Sequence, residues 1–86
     1  MNSHLITSTW RLLLEDAVSS TEYPGATVLS TNMKRADFDR PFENGYGSDP
    51  SKDVGHLMAW TTDNVYFSHD YDGLKTVRSV PRNPPE

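Results

Sequence analysis

The sequence predicts an α+β fold: an N-terminal helix packed on a three- to four-stranded antiparallel sheet. Two observations carry this. Trp10, Leu13, Leu14, Ala17 and Val18 recur at the spacing of one helical stripe. From Gly55 to Val80, three β-prone runs are separated by Asp63-Asn64 and Asp72-Gly73, the punctuation of a C-terminal β-meander.

The helix is expected over Ser8–Ser20. Ser8 or Thr9 caps it by accepting a backbone N–H, and Tyr23-Pro24-Gly25 stops it. Arg11, Glu15 and Asp16 form its solvated side. Ala26–Ser30 is apolar and β-branched, hence extended, and its membership of the sheet is left open. Asn32 is expected to cap a short helical turn over Met33–Asp39, with Met33 and Phe38 as its apolar contacts. Pro41 ends that turn at Arg40. "ENGYGSDPSKD" is turn-forming throughout and reads as a surface loop.

The meander strands are expected at Gly55–Thr61, Val65–Tyr71 and Leu74–Val80, followed by a Pro-rich tail over 81–86. Two-residue turns place Tyr71 opposite Leu74, His69 opposite Thr76, Phe67 opposite Arg78 and Val65 opposite Val80. They also place Trp60 opposite Phe67, Met58 opposite His69 and His56 opposite Tyr71. One face then carries Met58, Trp60, Val65, Phe67, Tyr71, Leu74 and Val80, and is expected to be the core face under the helix. The other mixes Thr61, Tyr66, Ser68, Asp70, Lys75 and Ser79 with Leu57, Ala59 and Val77, and Asp70 faces Lys75 across it.

This geometry bears on the chemistry. His69, Asp70, Tyr71 and Asp72 are adjacent, but alternation along a strand sends them to different sides, so they do not converge on one atom. His56 and His69 share a face as diagonal neighbours. A metal there would need a third ligand from His4 or a loop carboxylate, and no local zinc-ligand spacing occurs; no metal and no cofactor are expected. Asp37 and Asp39 read as solvated carboxylates. No nucleophile elbow and no Gly-rich phosphate loop is present. The meander aromatics lack interleaved Lys or Arg, and the net charge of -4 lacks a basic face, so no nucleic-acid partner is expected.

With 86 residues the chain is one domain over 1–86. Its 35% hydrophobic content is lean, and small size with a lean core favours oligomers. No cysteine suits a reducing cytoplasm. The longest apolar run, Leu12–Leu14, is too short for a membrane span, and "MNSHLITSTW" does not read as a signal peptide.

The pieces "FDRPFENGYGSD", "AWTTDNVYF", "YDG" and "SVPRNP", spanning Phe38 to Pro84, resemble a group of short uncharacterised bacterial proteins of the kind encoded in integron gene cassettes. Members carry an aromatic where this chain has Thr76, a departure that implies a smaller core. The resemblance implies no known activity and transfers no catalytic residue. It implies a recurrent loop, turn and tail, with Gly45, Gly47 and Gly73 shaping the backbone and Pro81 and Pro84 ending the sheet.

The function expected is a non-enzymatic, self-associating interaction module. It forms a homodimer or a higher even-numbered oligomer, with Tyr66 or Val77 at the interface and Tyr71, Arg82 and Asn83 as further binding residues. The alternative is a small metal- or carboxylate-dependent, hydrolase-like enzyme using His56 and His69.

Overall fold

The computed structural model describes residues 5–21, 25–48 and 53–82. Its elements in chain order are β1 (Ile6–Ser8), α1 (Trp10–Ser19), β2 (Ser30–Thr31), α2 (Arg35–Phe38), β3 (Phe42–Asn44), β4 (Met58–Trp60), β5 (Asn64–Tyr71) and β6 (Leu74–Pro81). They form a small α+β fold, one main helix followed by a C-terminal antiparallel meander. The main sheet has four strands in the order β2-β4-β5-β6, and β1 pairs with β3 in a second, two-stranded sheet.

Helix α1 starts where its cap chemistry predicts. Thr9 is extended, and its hydroxyl accepts the Leu12 N–H at 3.1 Å. The Tyr23-Pro24 part of the expected stop lies outside the described residues. Arg11 on the outer side of α1 pairs with Asp39, with an Nη2–Oδ2 contact of 3.2 Å, and its guanidinium lies 4.8 Å from the Phe38 ring centroid. This ties α2 to α1.

The β5–β6 hairpin has the predicted register, with Tyr71 opposite Leu74 and Val65 opposite Val80. Asp72 and Gly73 adopt φ of 51° and 90°, as a two-residue primed turn requires. A Cβ on Gly73 would fall 2.7 Å from Ser48 Oγ and 2.8 Å from Ser48 N, so the turn also needs glycine for close approach. The 45–48 loop is seated there: Gly47 N–H donates to the Asp72 carbonyl and Ser48 Oγ to the Gly73 carbonyl, both at 2.8 Å.

Several expectations need correction. The β4–β5 turn is Thr62-Asp63 rather than Asp63-Asn64. Thr61 N–H donates to the Asn64 carbonyl at 3.0 Å and Asn64 N–H to Thr61 Oγ1 at 3.1 Å, which makes Thr61 and Asn64 the closing pair. Met58 therefore lies opposite Phe67 and Trp60 opposite Val65. A shift of two leaves each side chain on its expected face. Strand β1 and its pairing with Phe42–Asn44 replace part of the expected loop. The extended segment joins the sheet at its C-terminal end, where Leu29 N–H donates to the Trp60 carbonyl at 2.7 Å and Ser30, with Thr31 after it, pairs with β4. The helical turn is capped at Lys34, without a side-chain bond. Asn32 is used elsewhere: its Nδ2 donates to the His56 carbonyl at 2.9 Å and its Oδ1 accepts the Met58 N–H at 2.7 Å. Pro81 belongs to β6, on an edge strand where its missing N–H costs no ladder bond.

The largest correction is the side of the sheet that the helix covers. The core comprises Trp10, Leu14, Val18, Phe42, Leu57, Ala59 and Tyr66, with Val77 packed against it. Helix α1 thus covers the face bearing Tyr66, not the face bearing Trp60 and Phe67. The physical reason is side-chain size. Ala59, Thr61 and Ser68 leave hollows into which Trp10 and Leu14 fit, whereas Met58, Trp60 and Phe67 would hold a helix away from the backbone. Polar groups on the covered face are satisfied locally. Ser68 Oγ accepts the Leu57 N–H at 3.1 Å, and Tyr66 Oη lies 3.4 Å from Thr21 Oγ1. Trp10 Nε1 donates to the Val54 carbonyl at 2.9 Å, and its ring packs 5.2 Å from that of Phe42.

Two predictions follow from this packing. Tyr66 is fully enclosed, so Tyr66→Ala should cost about 3–5 kcal/mol, as large buried aromatics do, against a total of about 5 kcal/mol or a little more for so small a domain. Phe67→Ala should cost markedly less. Urea unfolding followed by circular dichroism checks the order, and a Phe67→Ala cost equal to or above that of Tyr66→Ala would reverse the assignment of the core face.

The second concerns pH. The hydrogen bond from Arg11, then the charges of Arg11 and Arg35, lower the Asp39 carboxyl below its ordinary value against a smaller opposing effect of desolvation. A depressed folded pKa gives stability that is present above the unfolded value, about 3.9, and is lost as pH falls through the folded one. Thermal melts of wild type and Asp39→Asn should therefore differ at neutral pH and draw together as pH falls below the unfolded value and through the lowered folded one. A gap that persists unchanged into acid would show that the charge pair is not its source.

Candidate functional site

With α1 on one side of the sheet, no described element covers the other. It is built by β4 with Met58 and Trp60, by β5 with Val65, Phe67, His69 and Tyr71, and by β6 with Leu74, Thr76, Arg78 and Val80. Met58 is 41%, Val80 47% and Tyr71 66% exposed, while Trp60, Val65, Phe67 and Leu74 are half-buried among their neighbours. None of these ten side chains is acidic, although acids outnumber bases in the chain. Arg78, opposite Phe67, is the one fixed charge on the face, which corrects the expectation that the aromatics lack an interleaved base, although a single cation is not a basic stripe. At one end Tyr71 meets Tyr46 edge-on, with ring centroids 6.2 Å apart and planes at 88°. A contiguous apolar surface of this kind marks an interaction site more often than an ordinary exterior.

The sequence-predicted residues divide between the two faces. Tyr66, expected at an interface, is 0% exposed and lies under the helix. Val77 also points to the core side and is half-buried. Tyr71 is on the open face. Arg82 is committed to the Thr62-Asp63 turn: its backbone N–H donates to the Asp63 carbonyl at 2.9 Å and Nη1 to the Thr61 carbonyl at 3.0 Å. Asn83 and the rest of the tail lie outside the described residues, as does His4. His69 is half-buried on the open face and His56 is exposed. Among the described residues no three His, Asp or Glu gather closely enough to hold an ion. Asp70 pairs with Lys75 at 3.4 Å, as the cross-strand register predicts. No described helix is long and apolar enough to cross a membrane.

An exposed edge on the third meander strand is readable from the sequence, whereas the side chain that occupies one end of it is not. The two-residue turn makes Tyr71 and Leu74 a hydrogen-bonded pair, so Leu74, Thr76, Arg78 and Val80 bond to β5. Lys75, Val77, Ser79 and Pro81 turn their backbone groups outward. The Asn44 side chain meets the first of these. Its Nδ2 donates to the Lys75 carbonyl at 2.9 Å, and its Oδ1 accepts the Lys75 N–H at 2.7 Å. Asn44 is only 4% exposed, and its amide stands in for one residue of a neighbouring strand. The Asn44-Gly45 pair signals a turn, so nothing in its composition marks this second use.

Asn44→Ala should remove two hydrogen bonds and leave the partly enclosed Lys75 N–H and carbonyl without partners, at about 1–3 kcal/mol for each group that water does not reach. Amide exchange read by NMR should show Lys75 deprotected in the variant. Unchanged protection would mean that other groups hold the edge.

In comparisons with known proteins, no family model, no curated protein and no solved structure matches the chain.

Proposed function

We propose that the chain is a non-enzymatic interaction module of the cassette-encoded kind, working in a reducing cytoplasm, and that it self-associates through the open sheet face. The observation that supports this reading is the uncovered stretch from Met58 and Trp60 across Phe67 to Val80, apolar and without an acid. A second copy brought up by a two-fold axis presents the same chemistry to it, and isologous pairs of this kind are the commonest assemblies. Sheets packed face to face interdigitate their side chains about 10 Å apart, which suits the alternating large residues here. Arg78 lies on an edge strand at the rim, where an offset packing keeps it in water.

The size of the face sets the strength. Strands of eight residues run about 27 Å, and two full strands with one short one span about 14 Å, or roughly 400 Å² per copy in projection. That is at the low end for specific interfaces, so a dissociation constant in the micromolar range is expected.

Light scattering after size exclusion tests this. At about 100 μM the wild type should show a mass approaching twice the monomer, falling on dilution. Phe67→Glu, which puts a carboxylate into the centre of the face, should be monomeric and still folded. A monomeric wild type at that concentration, or a Phe67→Glu variant that still dimerises, would remove the reading.

A further inference from the structure

The free edge of β6 runs beside helix α1, and between them lies a shallow groove of about 590 Å³ lined by Leu13, Asp16, Ala17, Val77 and Ser79, among others. On the strand side, the outward N–H and carbonyl groups of Val77 and Ser79 lie on the unpaired edge of the sheet. The window is bounded at both ends: the Asn44 amide occupies Lys75, and Pro81 has no N–H to offer. Four backbone groups in extended geometry thus meet no partner among the described residues, over two alternate positions next to a helix flank that gives a neighbouring strand something to pack on.

We propose that this groove takes an extended peptide segment of another protein as a fifth strand, with an acidic residue opposite Arg78. In an antiparallel strand added here, the residues opposite Val77 and Ser79 form hydrogen-bonded pairs, and their side chains point the same way as Val77, toward Leu13 and Ala17. Small or β-branched apolar residues suit those two positions. The residue between them points to the other side and stands across from Arg78, where a carboxylate makes a favourable cross-strand pair. Asp16 in the groove disfavours an acid on the helix side, so the charge pattern fixes which side chain goes where.

The same geometry argues against a second copy of the chain at this edge. Two β6 strands related by a two-fold axis use all four groups only when Val77 pairs with Ser79 of the partner copy. That register sets Arg78 directly opposite its symmetry mate, at the close spacing of a non-hydrogen-bonded pair. Sliding the register one way meets the Lys75 groups already held by Asn44. Sliding it the other way meets Pro81. A foreign strand with a carboxylate in the middle has neither problem. This site is separate from the open face used for self-association: one is an edge, the other a surface.

The test uses the full chain, labelled with ¹⁵N, and the peptide acetyl-Thr-Val-Glu-Val-Thr-amide. Amide shifts should move at Val77 and Ser79 and saturate with a dissociation constant of about 1 mM or tighter, as suits a handful of strand bonds. Ser79→Pro removes one outward donor without touching the β5 ladder, and Pro81 already shows that this strand accepts a proline at an outward position. Circular dichroism should show that variant folded, with binding weakened about tenfold or more. Replacing the central Glu of the peptide by Lys should weaken binding to wild type, and Arg78→Glu should invert that preference. Met58→Glu, on the open face but two strands away from Arg78, should bind the peptide as wild type does. The proposal is overturned by any of three results: no saturable shift at several millimolar peptide, equal binding by a folded Ser79→Pro variant, or a wild-type dimer that Ser79→Pro dissociates, which would place a second copy on the edge.

Discussion

A helix of ten residues can cover one face of a sheet, and this sheet has two faces with apolar side chains. The rest of the structure depends on which one α1 takes. It takes the one with hollows. Leu57, Ala59, Thr61 and Ser68 let Trp10, Leu14 and Val18 come close, and close approach brings more atom contacts than a bulkier face would allow. Trp10 then reaches past the sheet, bonding the Val54 carbonyl and packing on Phe42, so the loop before β4 and the second sheet are organised by the same side chain. What is left over is the aromatic face, and its exposure is a consequence of the helix docking rather than an independent feature.

Two asparagine amides finish the architecture. Asn32 bonds the His56 carbonyl and the Met58 N–H at the start of β4, and Asn44 bonds both groups of Lys75 at the start of β6. Each primary amide offers one donor and one acceptor at peptide-like spacing, so each replaces a residue of a neighbouring strand where the chain itself is too short to supply one. Through Asn44 the two-stranded sheet is joined to the four-stranded one without any shared backbone ladder.

These features explain what was legible beforehand. Asp72-Gly73 fixes the β5–β6 register because a two-residue turn allows only one pairing, and the α1 cap and stripe were readable because both are local. The Thr62-Asp63 turn was misplaced because the Thr61 hydroxyl, not the Asp-Asn pair, closes it. The covered face was misread because aromatic content was taken as the mark of a core, while the deciding property was room for a helix, which depends on Ala59 and Ser68 as much as on Tyr66. Tyr71, read as a core-face residue, lies on the open surface by the same inversion. Tyr66 and Val77 were drawn to the wrong side by the same misreading, and the role of Asn44 depends on a contact 31 positions along the chain that no local pattern encodes.

The seating of the 45–48 loop on the Asp72-Gly73 turn carries a consequence for protein engineering. The tip of a two-residue hairpin is usually the least encumbered point of a small β protein, and the first choice for grafting a loop, a tag or new chain ends. Here the tip is roofed: Gly47 and Ser48 bond its two carbonyls, and a single methyl at Gly73 would meet the Ser48 backbone. An insertion at 72–73 would have to lift that roof and would reach the Asn44 amide next to it. The Thr62-Asp63 turn at the opposite end of β5, where both residues are exposed, is the better place to open the chain.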